Sequence, residues 1–118
     1  MSGDIKWEPN PFDLMIEAAQ EIKPIKAKIR VSSLDENEQH WWGRTLFVDD
    51  SDLALIEINK DCTLEAALEV LAHELAHVIA GPEADHGPRF KETFDQIYDL
   101  WTNKMEPFYK RGPLYTLK

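Results

Sequence analysis

The chain has 118 residues, of which 43% are apolar and 30% charged, and its formal net charge at pH 7 is -9. This length suits one compact domain rather than two, and four Trp, five Phe and three Tyr exclude a disordered low-complexity chain. The acidic charge disfavours binding to nucleic-acid phosphates, and charges interrupt each apolar stretch before the about 18 residues of a membrane span.

The N-terminal residues and the cysteine content bear on the compartment. Residues 1–9 lack the basic and apolar regions of a secretory signal, so we expect none. Cys62 is the single cysteine, which leaves no disulfide within the chain. These features predict a cytoplasmic protein without a membrane anchor, while nothing in the sequence indicates the oligomeric state.

The first half of the chain predicts one helix followed by a small sheet. The helix begins at Pro11, after Asn10, and ends before Pro24. Alternating apolar residues predict three strands, over residues 26–31, 41–48 and 53–58. The polar residues 32–40 are predicted to form a loop. Because the connections are short, the sheet is expected to be mostly antiparallel.

The second half predicts two more helices. Residues 63–80 carry apolar residues at helical spacing, Thr63 can cap this helix, and Gly81 ends it. A last helix begins at Pro88, and residues 105–118 are predicted to form a tail. The whole chain, residues 1–118, therefore reads as a single α+β domain.

The predicted site helix carries the pattern His73-Glu74-Leu75-Ala76-His77. Residues four apart lie on nearly the same side of a helix, so both imidazoles can bind one metal ion. Glu74 lies near that ion without having to bind it, which suits a general base acting on a metal-activated water. The pattern therefore predicts a hydrolytic metal centre.

A third ligand is expected shortly after this helix. Zinc hydrolases use three protein ligands and keep a fourth position open for water. His86 follows the helix end by a short loop that can fold back over it. Carboxylates also bind zinc, so Glu83, Asp85 and Glu92 are alternative third ligands, and Asp85 is also a candidate for orienting a ligand.

Other residues with useful chemistry receive structural interpretations. We interpret His40 as a loop histidine, Trp41 and Trp42 as partly buried core residues, and Cys62 as a buried unreactive thiol. The candidates for stabilising an oxyanion are Tyr98, Tyr109 and Tyr115.

The order of these motifs over residues 25–101 resembles that of SprT-like zinc metallopeptidases of the zincin group. The resemblance is carried by Leu55-Ile56-Glu57-Ile58-Asn59, His73-Glu74-Leu75-Ala76-His77 and His86-Gly87-Pro88-Arg89-Phe90. It implies a minimal zincin-like domain of the small stand-alone form, similar to ones in phage genomes. It further implies that one Zn²⁺ is held by His73, His77 and His86, and that Glu74 is catalytic in hydrolysing a peptide or protein substrate.

The chain departs from the family in two respects. Eight residues separate His77 from His86, fewer than in many members, and the cysteine-rich zinc ribbon that often follows has no counterpart. The DNA-linked role of some members is therefore not expected here. For a peptidase, the strand over residues 53–58 is predicted to be the exposed edge that pairs with an extended peptide.

Two other classes of function stay open. YbeY-like metal-dependent ribonucleases carry three histidines on a helix and the following loop, ending in Asp-His as Asp85-His86 does. Their histidine spacing is shorter, and the acidic charge disfavours RNA. The third class is a zinc-binding or regulatory protein that uses the zincin fold without catalysis, because 118 residues leave little surface for a substrate cleft.

Overall fold

The computed structural model describes residues 8–36 and 39–109, which form three α-helices and a three-stranded mixed sheet. The predicted α+β class is therefore confirmed. The helices are α1 (Pro11–Ile22), α2 (Leu64–Ala80) and α3 (Pro88–Tyr109), with a 3-10 turn at Pro82–Ala84. The strands are β1 (Lys26–Ser32), β2 (Asp35–Glu36), β3 (Gln39–His40), β4 (Gly43–Phe47) and β5 (Leu53–Asn59).

The sheet has the strand order β1–β5–β4, which differs from the expected topology. β4 pairs with β5 antiparallel, but β1 pairs with β5 parallel, so the sheet is mixed rather than mostly antiparallel. A parallel pair needs a long connection, and residues 33–52, which contain the other strands, supply it. A short connection therefore accounts for the antiparallel β4–β5 pair, but the same reasoning does not apply to β1.

The prediction that β5 is an exposed edge strand is wrong. β5 lies between its two neighbours and is buried on both faces, with Ala54, Ile56 and Ile58 toward the helices and Glu57 on the opposite face. β1 and β4 are the edge strands of this sheet. An extended peptide that pairs with the sheet near α2 would therefore meet β4.

Two further boundaries differ from the expectation. The predicted loop over residues 32–40 contains the short antiparallel pair β2–β3, with Asp35 opposite His40. The predicted tail begins inside α3: Met105 is buried, and the helix continues through Pro107 to Tyr109. Residues 110–118 of the predicted tail lie outside the described residues. No helix in the described ranges is long and apolar enough to cross a bilayer.

Side-chain caps begin α1 and α2 where the sequence predicts. The Asn10 side chain accepts hydrogen bonds from the backbone N–H groups of Phe12 and Asp13, and Thr63 accepts one from Ala66. These bonds satisfy N–H groups that have no partner inside the helix. α2 packs on one face of the sheet, against β5 and β4, and α1 and α3 pack against α2 and against each other. The buried core formed by these contacts comprises Met15, Ala18, Ala19, Ile56, Ile58, Leu71, Ala72, Leu75, Ala76, Ile79, Phe90 and Ile97.

The opposite face of the sheet carries a buried carboxylate clamped by two arginines. Glu57 on β5 has a side chain only 2% exposed, and it accepts hydrogen bonds from Arg30 on β1 and Arg44 on β4. The two guanidinium groups hold the pKa of Glu57 below its usual value, against the effect of burial. Because the three residues lie directly opposite one another, this cluster ties the three strands together.

Gly43 allows β4 to approach α2 closely. A Cβ atom at this position would lie 2.3 Å from Cγ1 of Val70, 3.2 Å from the Glu57 carbonyl oxygen and 3.3 Å from Oε2 of Glu74. A separation of 2.3 Å is far inside van der Waals contact, so any larger residue must push the strand and the helix apart. The absence of a side chain at Gly43 therefore sets the distance between β4 and α2.

We predict that Gly43→Ala lowers the free energy of unfolding by about 1–3 kcal/mol, because the new methyl group overlaps Val70. Chemical denaturation measures this loss. The same substitution in a Val70→Ala background should cost less, since the atom that it meets has been removed. An equal cost in both backgrounds would contradict the close approach as its cause.

A candidate metal centre and its buried carboxylate

The candidate site lies on the part of α2 that faces the sheet and α3. The buried face of α2 carries Leu71, Leu75 and Ile79, which belong to the core. His73 and His77 are half-buried, one helical turn apart, on a different side of the helix. Packing of the apolar face thus holds the helix, and with it both imidazoles, in a fixed orientation.

Three imidazoles converge at one point. Nε2 of His77 lies 3.2 Å from Nε2 of His73 and 3.1 Å from Nε2 of His86, and the His73 and His86 nitrogens are 3.3 Å apart. Among the residues that the structure describes, these three form the group that could hold a metal ion. The structure therefore brings together the three histidines that the sequence singled out.

Hydrogen bonding alone does not account for this arrangement. Each Nε2 atom either carries a proton or presents a lone pair, so among three mutually close nitrogens at least two must be alike. A cation at the centre removes this conflict, because all three lone pairs then point at it. Zinc–nitrogen bonds of about 2.0–2.1 Å in tetrahedral geometry separate the nitrogens by about 3.3–3.4 Å. The observed separations of 3.1–3.3 Å lie within about 0.3 Å of these values, so the cluster could hold a tetrahedral ion such as zinc.

A tight turn brings His86 back over α2. Gly81 ends the helix with a φ of 92°, and its N–H donates to the carbonyl of His77 at 2.9 Å. After the 3-10 turn, Asp85 has a φ of 48°, and Gly87 donates to the carbonyl of Ala84 at 2.9 Å. These two reversals of the backbone direct the next side chain, His86, toward the imidazoles of α2.

Phe90 on α3 contacts all three histidine rings. Its ring is stacked on His77 with the centroids 4.4 Å apart, and it lies 4.9 Å from His73 and 5.0 Å from His86. Phe90 is only 6% exposed and belongs to the core. The aromatic ring therefore connects the orientation of the imidazoles to the packing of the domain.

The carboxylates proposed as alternative third ligands lie elsewhere. Within the described residues, the metal-binding group contains no oxygen ligand from Glu83, Asp85 or Glu92. Asp85 instead places Oδ1 3.4 Å from Nδ1 of His86, the nitrogen that faces away from the other imidazoles. This position suits a residue that orients a ligand.

Burial favours the neutral form of the two imidazoles on α2. Loss of hydration, followed by the neighbouring His73 and His86, lowers the pKa of His77 to about 4 against the opposing charge of Asp85. Burial and His86 also lower the pKa of His73. Because only the neutral imidazole has a free lone pair, these two side chains could bind a metal without first losing a proton.

The Glu74 side chain contacts β4 and is not part of the three-histidine group. Glu74 is 6% exposed, and its Oε1 accepts a hydrogen bond of 2.7 Å from the hydroxyl of Thr45. Burial raises the pKa of Glu74, while the Thr45 hydrogen bond and the charge of His86 oppose this rise. Among the described residues none donates a hydrogen bond to Oε2, so this oxygen is available to a bound molecule.

A cavity of about 370 Å³ opens beside Glu74 and His73. It lies between the start of β4 and the first turns of α2, and its other lining residues are Trp42, Gly43, Ala66, Glu69 and Val70. This volume falls within the about 300–1,000 Å³ of sites that bind small molecules. A ligand in the cavity would therefore lie directly against the buried carboxylate.

Several residues behave differently from their sequence interpretation. Trp41 and Trp42 are 43% and 52% exposed, so the prediction that they are partly core is wrong for both. His40 contacts Asp35 and the edge of Trp42, away from the metal-binding group. Cys62 is half-buried, and burial raises the pKa of its thiol, which agrees with an unreactive cysteine.

Tyr98 is the one oxyanion candidate whose side chain is described. Its ring packs between Phe94 and Trp101 on α3, and burial raises the pKa of its hydroxyl. The side chain of Tyr109 and the whole of Tyr115 lie outside the described residues. Sequence reasoning also missed Thr45, although the alternation of the predicted strand would have placed it on the same face as Gly43.

No protein-family model, no curated protein and no solved structure matches the chain. Interpretation of the site therefore depends on the chemistry of these residues and on their positions.

We predict that the purified protein binds about one zinc ion per chain and that His86→Ala removes it. Removing a residue that only hydrogen-bonds to a metal ligand lowers metal affinity by about 10–100-fold. Because His86 is proposed to be a ligand itself, its removal should lower zinc affinity by more than this. Elemental analysis and competition with a chelator measure both quantities. The control is His40→Ala, which removes an imidazole outside the cluster. Full zinc content in His86→Ala would contradict the three-histidine site.

We predict that the metal-free protein loses stability as the pH falls from about 6.5 toward about 4. The folded state holds the pKa of His77 near 4 and the unfolded state restores 6.5, so in this window protons bind preferentially to unfolded chains. Thermal unfolding of the chelator-treated protein measures how stability changes with pH. The measurements stay above about pH 4.3, where glutamate side chains titrate. In His77→Gln the slope should be smaller, and an unchanged slope would contradict this cause.

Proposed function

We propose that the protein is a zinc-dependent metallopeptidase. The observation that carries this proposal is the convergence of three imidazole Nε2 atoms within 3.1–3.3 Å of one another, next to a buried glutamate that does not join them. Three nitrogen ligands would leave a fourth position of a tetrahedral zinc open. An open position with a carboxylate near it is what hydrolysis by an activated water requires.

The residues of the chain divide the chemistry between them. His73, His77 and His86 would hold a zinc ion, which would act as a Lewis acid that polarises a carbonyl group and lowers the pKa of a water. Glu74 takes the proton from the attacking water on Oε2 and passes it to the departing amine. Burial raises the pKa of Glu74, which makes it better suited to hold that proton between the two steps.

Thr45 and Phe90 hold these groups in position. The Thr45 hydroxyl occupies Oε1 of Glu74, which leaves Oε2 as the oxygen that handles the proton. The ring of Phe90 packs against all three imidazole rings. Because Thr45 lies on the edge strand β4, a peptide that adds to this strand would run directly past Glu74.

Charge and environment favour a peptide over a nucleic-acid substrate. The net charge of -9 repels a phosphate backbone, which counts against a ribonuclease with three histidines. A zinc-binding protein without catalysis would not require a buried carboxylate beside a cavity. The presence of Glu74 at this position therefore favours an enzyme. The single cysteine suits an enzyme of the reducing cytoplasm.

We predict that Glu74→Gln keeps its zinc and loses peptide cleavage by about 10²–10⁴-fold, the usual contribution of a general base. The amide also removes a buried charge that the folded state disfavours, so the melting temperature of the metal-free variant should rise. Cleavage of a peptide mixture followed by mass spectrometry, zinc analysis and thermal unfolding measure these three effects.

The matched control is Glu83→Gln, which makes the same change on an exposed residue of the neighbouring turn and should leave cleavage intact. Cleavage that persists in Glu74→Gln would contradict the role of Glu74. A zinc-loaded parent protein that cleaves no peptide would favour the binding protein without catalysis. Zinc-dependent cleavage of RNA in place of peptides would favour the ribonuclease.

A further inference from the structure

The cavity beside Glu74 has apolar walls and a charged rim. Its apolar lining comes from Trp42, which precedes β4, and from Ala66 and Val70 on α2. Trp42 is 52% exposed, so its ring is available to a ligand. These three side chains suit a substrate side chain with a long apolar stem.

Glu69 is an exposed acidic residue on the lining of this cavity. It lies one helical turn before His73, and among the described residues it forms no ion pair and no hydrogen bond. The negative charge of Glu69 acts on His73: burial and His86 lower the pKa of His73, and Glu69 raises it. The carboxylate is therefore positioned to pair with a cation inside the cavity.

The placement of Glu69 is unfavourable for the isolated helix. Glu65 lies four residues before it on α2, and two like charges at this spacing destabilise a helix by about 0.2–0.5 kcal/mol. No basic side chain of the described ranges pairs with either residue. A cationic ligand at Glu69 would relieve this repulsion.

On these grounds we propose that the cavity binds an arginine or lysine side chain next to the scissile bond, with Glu69 as the residue that determines this specificity. The aliphatic stem packs between Trp42 and Val70, the cationic end pairs with Glu69, and the indole face adds a cation–π contact. The cavity borders Glu74 and His73, so the bound residue is adjacent to the bond that is cleaved. This inference rests on the proposed peptidase function, which it deepens by naming the substrate class.

The test compares zinc-loaded protein on peptides that differ only at the residues flanking the cleaved bond, which carry Arg, Lys, Leu or Glu. At one of these positions we expect kcat/KM to be about tenfold or more higher for Arg and Lys than for Glu. Glu69→Lys should abolish or reverse this preference. Raising the salt concentration should weaken the preference in the parent protein, because Glu69 is exposed and salt screens its charge.

The matched control is Glu65→Lys, which changes the net charge of the protein equally but lies outside the cavity. It should keep the preference within about twofold of the parent, since its charge acts across solvent. A second measurement does not depend on turnover. The zinc-loaded Glu74→Gln variant is titrated with the same peptides, and binding is followed by tryptophan fluorescence. The Kd for the Arg peptide should be about tenfold lower than that for the Glu peptide. Adding Glu69→Lys to this variant should remove the difference.

Each outcome decides the proposal. A preference for basic residues that Glu69→Lys removes and Glu65→Lys retains supports it. Cleavage without such a preference, or with one that both variants retain or both remove, overturns it while leaving the peptidase intact. If the parent cleaves no peptide, the proposed function fails and the titration decides: selective binding that depends on Glu69 supports the basic-residue pocket, and unselective or absent binding overturns it.

Discussion

The organising constraint of this molecule is the meeting of three imidazole nitrogens that cannot all satisfy one another. A protein gains nothing from pressing like-polarised nitrogens together, because at least one pair among three must repel. Such an arrangement is stable when the surrounding packing enforces it or when a cation is bound. Here the packing is visible in α2, whose apolar face is buried, and in Phe90, which contacts every ring of the cluster. The fold holds the imidazoles where a divalent metal would find its ligands already in place.

The second constraint is the close contact between β4 and α2. Gly43 permits the approach, and Thr45, two residues along the same face, uses it to reach the carboxylate of Glu74. A carboxylate buried this deeply is costly unless it is hydrogen-bonded, and a single hydroxyl satisfies only one of its oxygens. The remaining oxygen opens on the cavity. The sheet therefore contributes to the site through strand placement rather than through a metal ligand.

Local patterns in the sequence predicted the helices and the pair of histidines one turn apart on α2, because both depend on spacing along the chain. The interval of four between His73 and His77 and the apolar repeat of α2 are properties of one segment. The pairing of β1 with β5 is not a property of one segment, since residues 33–52 separate these two strands along the chain. The near-continuous apolar run from Leu53 to Ile58 was nevertheless a signal of a strand buried on both faces.

The cavity and its rim lay beyond sequence reasoning for a related reason. Trp42 precedes β4 and Val70 lies on α2, and only the packed structure brings them to one cavity. The exposure of both tryptophans also contradicts the general tendency of large aromatic residues to be buried. The end of α3 was misjudged because Pro107 reads as a helix breaker, although it lies in the last turn of this helix.

The brevity of the connection between α2 and α3 has a thermodynamic consequence. A flexible loop that carries a ligand must lose conformational entropy when the metal captures it, and that loss weakens binding. Here two backbone reversals, at Gly81 and Asp85, fix the path of the chain, and hydrogen bonds at 2.9 Å close the turn at both ends. The main chain thus preorganises His86, the proposed third ligand. Lengthening the connection by a few residues would keep all three imidazoles and still weaken the binding of a metal by them.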